Sequence, residues 1–167
     1  MRQCAYERRA TLGAPPYRKV LNSKPLKSKL LKRRSRRRPV TMTALDKWYA
    51  CAKSHDRRGL WDLLHPDVVF ESPVVHTPQR GRDITFKYLA SALDVLGGPG
   101  FAYVGEWRND NGAVLEFEKE IDGIKLNGVD IISFSDDGRI IHFKVMVRPL
   151  KAINLLHRLM GEQLAKA

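Results

Sequence analysis

The chain has 167 residues and a formal net charge of +12, from 30 Lys+Arg against 18 Asp+Glu. The excess is local: residues 1–41 hold 14 basic side chains and one acid, Glu7, for +13, whereas residues 42–167 hold 16 basic and 17 acidic, for −1. That split excludes a uniformly basic nucleic-acid-binding domain. Two cysteines, Cys4 and Cys51, exclude a disulfide scaffold and a four-cysteine zinc site, and the lack of any run of 18 apolar residues excludes a transmembrane helix.

From Lys24 to Arg38 the sequence reads KPLKSKLLKRRSRRR. Like charges this dense repel one another and bury nothing, which predicts disorder for residues 1–41 taken alone. Three readings of the segment stand open. Its Arg/Lys cluster suits an arm that binds RNA or a membrane surface through phosphate. Its near absence of acid suits organellar targeting. Alternatively, because Met42-Thr43 has the look of a natural start, the segment is not part of the working protein. Nucleic acid is a partner only if the tail is real. Sparse cysteine suits a reducing compartment, and the rest of the sequence reads as cytoplasmic.

Residues 42–167 form the domain. Thr43 is placed as the N-cap of a helix to about Ser54, with Asp46 completing a capping box and Leu45, Trp48, Tyr49 and Ala52 on one face. Asp56 caps a second helix, Arg57–Leu64. His65-Pro66-Asp67 reads as a turn, because proline removes a donor and restricts the residue before it. Val68–Ser72 reads as a short strand stopped by Pro73. After a Pro-rich loop, Gly81-Arg82-Asp83 opens a third helix ended by Gly97-Gly98-Pro99-Gly100. The apolar period then changes to two, giving strands Phe101–Arg108, Ala113–Ile121, Ile124–Phe134 and Ile140–Arg148 joined by turns such as Asp122-Gly123. Pro149 ends the last strand and a helix follows over Leu150–Lys166. Helices segregated from an antiparallel sheet define an α+β fold.

Three stretches, Leu64–Pro73 (L-H-P-D-V-V-F-E-S-P), Gly81–Ile84 (G-R-D-I) and Gly128–Ile140 (G-V-D-I-I-S-F-S-D-D-G-R-I), give residues 42–150 a recognisable pattern. The pattern resembles the nuclear transport factor two-like superfamily, particularly its SnoaL-like polyketide cyclases and ketosteroid isomerases. The resemblance implies a curved antiparallel sheet rolled around the N-terminal helices into a cone, an apolar pocket at its open end, and a homodimer through the outer sheet face. It implies a small, largely apolar molecule as ligand, with no metal and no organic cofactor.

In ketosteroid isomerases a first-helix Tyr and a late-strand Asp form the oxyanion hole, and an Asp before the proline of the first strand is the base. Carried over, the base position holds Ser72, the tyrosine position holds Trp48 with Tyr49 one residue out of phase, and only Asp130 retains its residue. The isomerase mechanism is therefore not predicted.

Asp130 stands among Val129, Ile131 and Ile132, on the face of Ile132 and Phe134. Facing the concave side, its carboxyl is pushed toward the neutral form, which donates a hydrogen bond to a ligand carbonyl. Facing outward, it pairs with a cation such as Lys144. His76, at the rim, is either a general base or a solvated loop residue. His142 alternates away from Phe143 toward the dimer face, and His65 and His157 read as structural. Glu116 and Glu118 read as solvent or dimer face. The candidate catalytic set is thus Asp130, His76 and Ser72, and the candidate ligand contacts are Trp48, Phe70, Phe117, Ile132 and Phe143. The functional expectation is a SnoaL-like domain binding a small apolar ligand, with cofactor-independent acid–base catalysis of isomerase, cyclase or dehydratase type as its enzymatic form. The alternative is a non-catalytic ligand-binding or dimerisation module.

Overall fold

The computed structural model describes residues 42–166; the basic segment 1–41, with its three readings, lies outside the described residues. The elements run α1 (Ala44–Ser54), α2 (Arg57–Leu63), β1 (Leu64–Glu71), β2 (Gln79–Arg80), α3 (Arg82–Leu96), β3 (Ala102–Asn109), β4 (Gly112–Ile121), β5 (Ile124–Phe134), β6 (Ile140–Arg148) and α4 (Leu150–Leu164). The capping box forms as the sequence predicts: Thr43 Oγ1 accepts from the Asp46 amide, and Asp46 Oδ2 accepts from the Thr43 amide. Asp56 caps α2 through the Gly59 amide.

The six strands make one sheet in the order β2-β1-β6-β5-β4-β3. Four of the pairings are antiparallel, but β1 runs parallel to β6, so the sheet is mixed and the meander is extended by the early strand. Two local expectations change. The His65-Pro66-Asp67 turn is instead part of β1, and β2 is an added short edge strand. Proline is accommodated because the register between β1 and β6 shifts between Leu64 and Val69, where no regular ladder asks Pro66 for an N–H. The Asp122-Gly123 turn forms with positive φ at both residues, the geometry a two-residue hairpin needs.

Alternation sorts the sheet into two faces. Rows Phe70–Phe143–Ile132–Ala113 and Val145–Asp130–Leu115 lie across the inner face, set by the strand registers, and every member is buried. The four helices supply the other half of the core, with Leu45 and Trp48 of α1, Leu60 and Leu63 of α2, Leu89 of α3, and Ala152, Leu156 and Met160 of α4. Trp48 meets Phe143 edge-on at 4.9 Å. Gly128 is needed where it stands: a Cβ there would lie 2.5 Å from Phe117 Cζ and 2.7 Å from the Met146 carbonyl oxygen. Its bareness lets the edge of the Phe117 ring approach the β5 backbone.

The outer face reads Trp107–Val114–Ile131–Lys144 in one row and Glu116–Val129–Met146 in the next. Val104, Trp107 and Met146 are exposed there at 53%, 60% and 55%. His142 points to this face, and Glu71 bridges it and Lys144 at 2.7 Å and 2.9 Å. No helix of the described residues is long and apolar enough to cross a membrane.

Candidate functional site

Between the inner face and the helices lies a hollow lined by Trp48 and Ala52 of α1, Phe70 of β1, Ser72–Val74 of the following loop, and Tyr88, Leu89, Ala92, Leu93 and Leu96 of α3. Gly97, Phe101, Tyr103, Phe117, Asp130, Phe143 and Val145 add the rim and floor, and Leu156 and Met160 of α4 the remaining wall. With its mouth the hollow spans about 720 Å³, of which only about 70 Å³ is clear enough of side chains to hold the centre of a water molecule. The lining is nearly all apolar, and its one carboxyl is Asp130.

Asp130 is 6% exposed. Its Oδ2 accepts a hydrogen bond from the Tyr103 hydroxyl at 2.7 Å, and the Tyr103 oxygen in turn accepts from Trp48 Nε1 at 3.0 Å. Among the described residues Oδ1 has no hydrogen-bond partner. Asp130 sits between Leu115 and Val145 on the flanking strands, and among the described residues no cation pairs with it. Lys144, the alternative partner, lies on the other face with Glu71.

Burial dominates the electrostatics. It pushes the Asp130 carboxyl up to about 7, against the opposing hydrogen bond from Tyr103. Burial also drives the Tyr103 phenol far above its ordinary range, helped by the neighbouring Asp130 charge and hydrogen bond. Tyr49 is raised to about 12 by burial and by its hydrogen bond to Glu106, 2.7 Å away. A carboxyl near 7 populates both protonation states around neutrality, so Oδ1 either donates to a carbonyl or accepts from a hydroxyl.

The structure brings together Asp130, Ser72, Trp48, Phe70, Phe117 and Phe143 at the hollow. It leaves out two residues of the sequence-derived set. His76 is exposed in the loop after β1 and is not part of the lining, because the turn at Ser72–Val74 directs the inner contacts to Ser72, Pro73 and Val74. Ile132 is 1% exposed but sits in the closed core beside Phe143, away from the open space. Trp48 faces the hollow, yet its N–H is taken by Tyr103. The Ser72 hydroxyl oxygen accepts from the Val74 amide at 3.2 Å, a local loop-forming contact.

Sequence reasoning did not single out Tyr103 and so missed its role as the partner of Asp130. The signal available was its alternation with Phe101; what the sequence lacked was the β3–β4 register, which sets Tyr103 opposite Phe117. The contribution of α4 was missed as well. No group of three or more His, Cys, Asp and Glu side chains among the described residues gathers where a metal ion would sit.

The layout defines an α+β domain in which helices cover the inner face of an open curved sheet around an apolar hollow with one buried acid. A family model described as SnoaL-like domain matches residues 45–143, and the chain belongs to that family. Among solved structures it is similar to a steroid delta-isomerase from Pseudomonas aeruginosa, with 38% identity, a TM-score of 0.69, and coverage of 74% of this chain and 90% of that one. A bacterial protein with a cystatin-like fold from Silicibacter pomeroyi is 24% identical with a TM-score of 0.67, covering 74% of this chain and 86% of that one. An NTF2-like protein of unknown function from Mesorhizobium loti is 20% identical with a TM-score of 0.56, over 64% of this chain and 88% of that one. These last two likenesses show the fold alone. No curated protein sequence matches the chain.

Proposed function

We propose that this SnoaL-like domain binds a small neutral molecule with an apolar body and one hydrogen-bond acceptor, held by the acid form of Asp130. One observation carries the reading: among the described residues, the one carboxyl lining the apolar hollow has one oxygen engaged by Tyr103 and the other without a partner. An apolar ligand gains by leaving water, and its carbonyl offers the protonated Oδ1 the partner it lacks among the described residues. The reading needs neither metal nor organic cofactor. The exposed Val104, Trp107 and Met146 on the outer face support pairing with a second copy through the sheet.

A second reading, proton transfer on the bound ligand, is favoured by the 38% identity to a protein named as a steroid delta-isomerase. In it Asp130 supplies a proton to the ligand oxygen, with Ser72 and His76 as the proposed assistants. Ser72 stands where that chemistry wants a base, but no carboxylate or imidazole meets its hydroxyl among the described residues, and His76 lies outside the lining. Binding is therefore the leading reading.

Titration of the full chain with indanone, indanol and indane tests it. At about pH 5.5 indanone should bind three- to tenfold more tightly than indane, the value of about one hydrogen bond. That preference should fade above about pH 7 as Asp130 ionises, and persist at high pH in Asp130→Asn, whose amide still donates. Equal affinity for indanone and indane, or binding of neither, overturns the proposal.

A further inference from the structure

The hollow poses a problem of size. Its clear space of about 70 Å³ suffices for a few waters, whereas sites for small organic ligands occupy on the order of 300–1,000 Å³. A ligand of ordinary size therefore enters only if one wall yields.

The walls are not equally fastened. The sheet floor is held by its ladders. Helix α1 is pinned by hydrogen bonds from Trp48 to Tyr103 and from Tyr49 to Glu106, at 3.0 Å and 2.7 Å. The segment that leaves α3 is clasped by Lys119, whose Nζ donates to the carbonyls of Gly97 and Pro99 at 3.0 Å and 2.7 Å. Helix α4 differs. Among the described residues its one side-chain hydrogen bond to another element is Gln163 Nε2 to Asp94 Oδ2, 2.9 Å, on an acid that Arg57 also engages. Ala152, Leu156 and Met160 of α4 are buried, and its N-terminus, like that of α3, has no side-chain cap. The family match ends at residue 143, before this helix begins.

We propose that α4 is the movable wall of the hollow: a ligand enters when α4 lifts from α3, and Leu156 and Met160 set the size of ligand that the closed form retains. The inference rests on the ligand-binding reading above and adds where and how the ligand passes. Chemistry favours these two side chains for the task. Both are apolar, so an apolar ligand replaces the contacts they give up, and methionine adapts its three rotatable bonds to an irregular neighbour. The Gln163–Asp94 contact is the latch. Weakening it raises the open fraction, and with it both the entry and the exit rate, while the affinity of the closed form stays the same.

Two measurements on the full chain test this. Hydrogen exchange should show the amides of α4 exchanging at least about tenfold faster than those of α3, after correction for intrinsic rates, although each helix has 15 residues. Stopped-flow fluorescence with prodan, a neutral naphthalene ketone that can enter only past a lifted α4 and is held once α4 closes behind it, should give association and dissociation rates that both rise about three- to tenfold in Gln163→Ala, with Kd held within about twofold. Met160→Ala should tighten prodan binding. Protection of α4 equal to that of α3, or prodan rates indifferent to Gln163→Ala, overturns the moving wall. If indanone binds but prodan binds to neither wild type nor Met160→Ala, the moving wall alone fails; if neither probe binds, the ligand-binding reading fails with it.

Discussion

The protonation of Asp130 gives the sharpest test of the site, because it reads out in stability without knowledge of the ligand. The folded pKa of about 7 lies above the ordinary value of 3.8, so between these two pH values the folded chain holds a proton that the unfolded chain has released. Stability associated with this group is therefore fully present below about 3.8, falls as pH rises, and has been lost once pH passes about 7. The shift of about three units, at about 1.4 kcal/mol each, amounts to about 4 kcal/mol in all. Asp130→Asn keeps the shape and the acceptor for Tyr103 but cannot ionise. Urea unfolding of wild type and variant at intervals from about pH 5 to about pH 8, compared as a difference so that other titrating groups cancel, should show the variant gaining about 3 kcal/mol relative to wild type, with the gain complete just above pH 7. Parallel stability curves across that range would refute the claim that the carboxyl is buried and uncompensated.

Two further outcomes follow from neighbouring contacts. Tyr103→Phe removes the donor that favours the ionised carboxyl, so in the same unfolding series the decline with pH should continue beyond the wild-type midpoint, and an unmoved or lowered midpoint would show that the hydroxyl does not serve Asp130. Trp107→Asp places a charge at the edge-strand end of the outer-face row; sedimentation velocity should show wild-type dimers reduced to monomers with the circular dichroism unchanged, and a wild type that is already monomeric at tens of micromolar would remove the case for pairing through the sheet.

Much of this molecule is determined locally and is therefore legible from the sequence. Thr43 and Asp46 satisfy amides within one helical turn, Asp122-Gly123 supplies the positive φ a tight hairpin requires, and period-two alternation sets Asp130 on one face with Ile132, and Phe117 on the face opposite Glu116 and Glu118. Family membership was legible too, because the stretches around Val68–Pro73 and Gly128–Ile140 carry strand, turn and buried acid together. What depended on distant parts of the chain was not. The parallel β1–β6 pairing, with its shifted register, decided that Pro66 lies within a strand and that Lys144 meets Glu71 and not Asp130. The β3–β4 register decided that Tyr103 serves Asp130, and the loop after β1 decided that His76 stays outside. The docking of α4 decided how little room is left. Side-chain direction along a strand or helix follows from its own repeat, but which side chains meet follows from register and packing, and these are settled by the summed burial of the whole core.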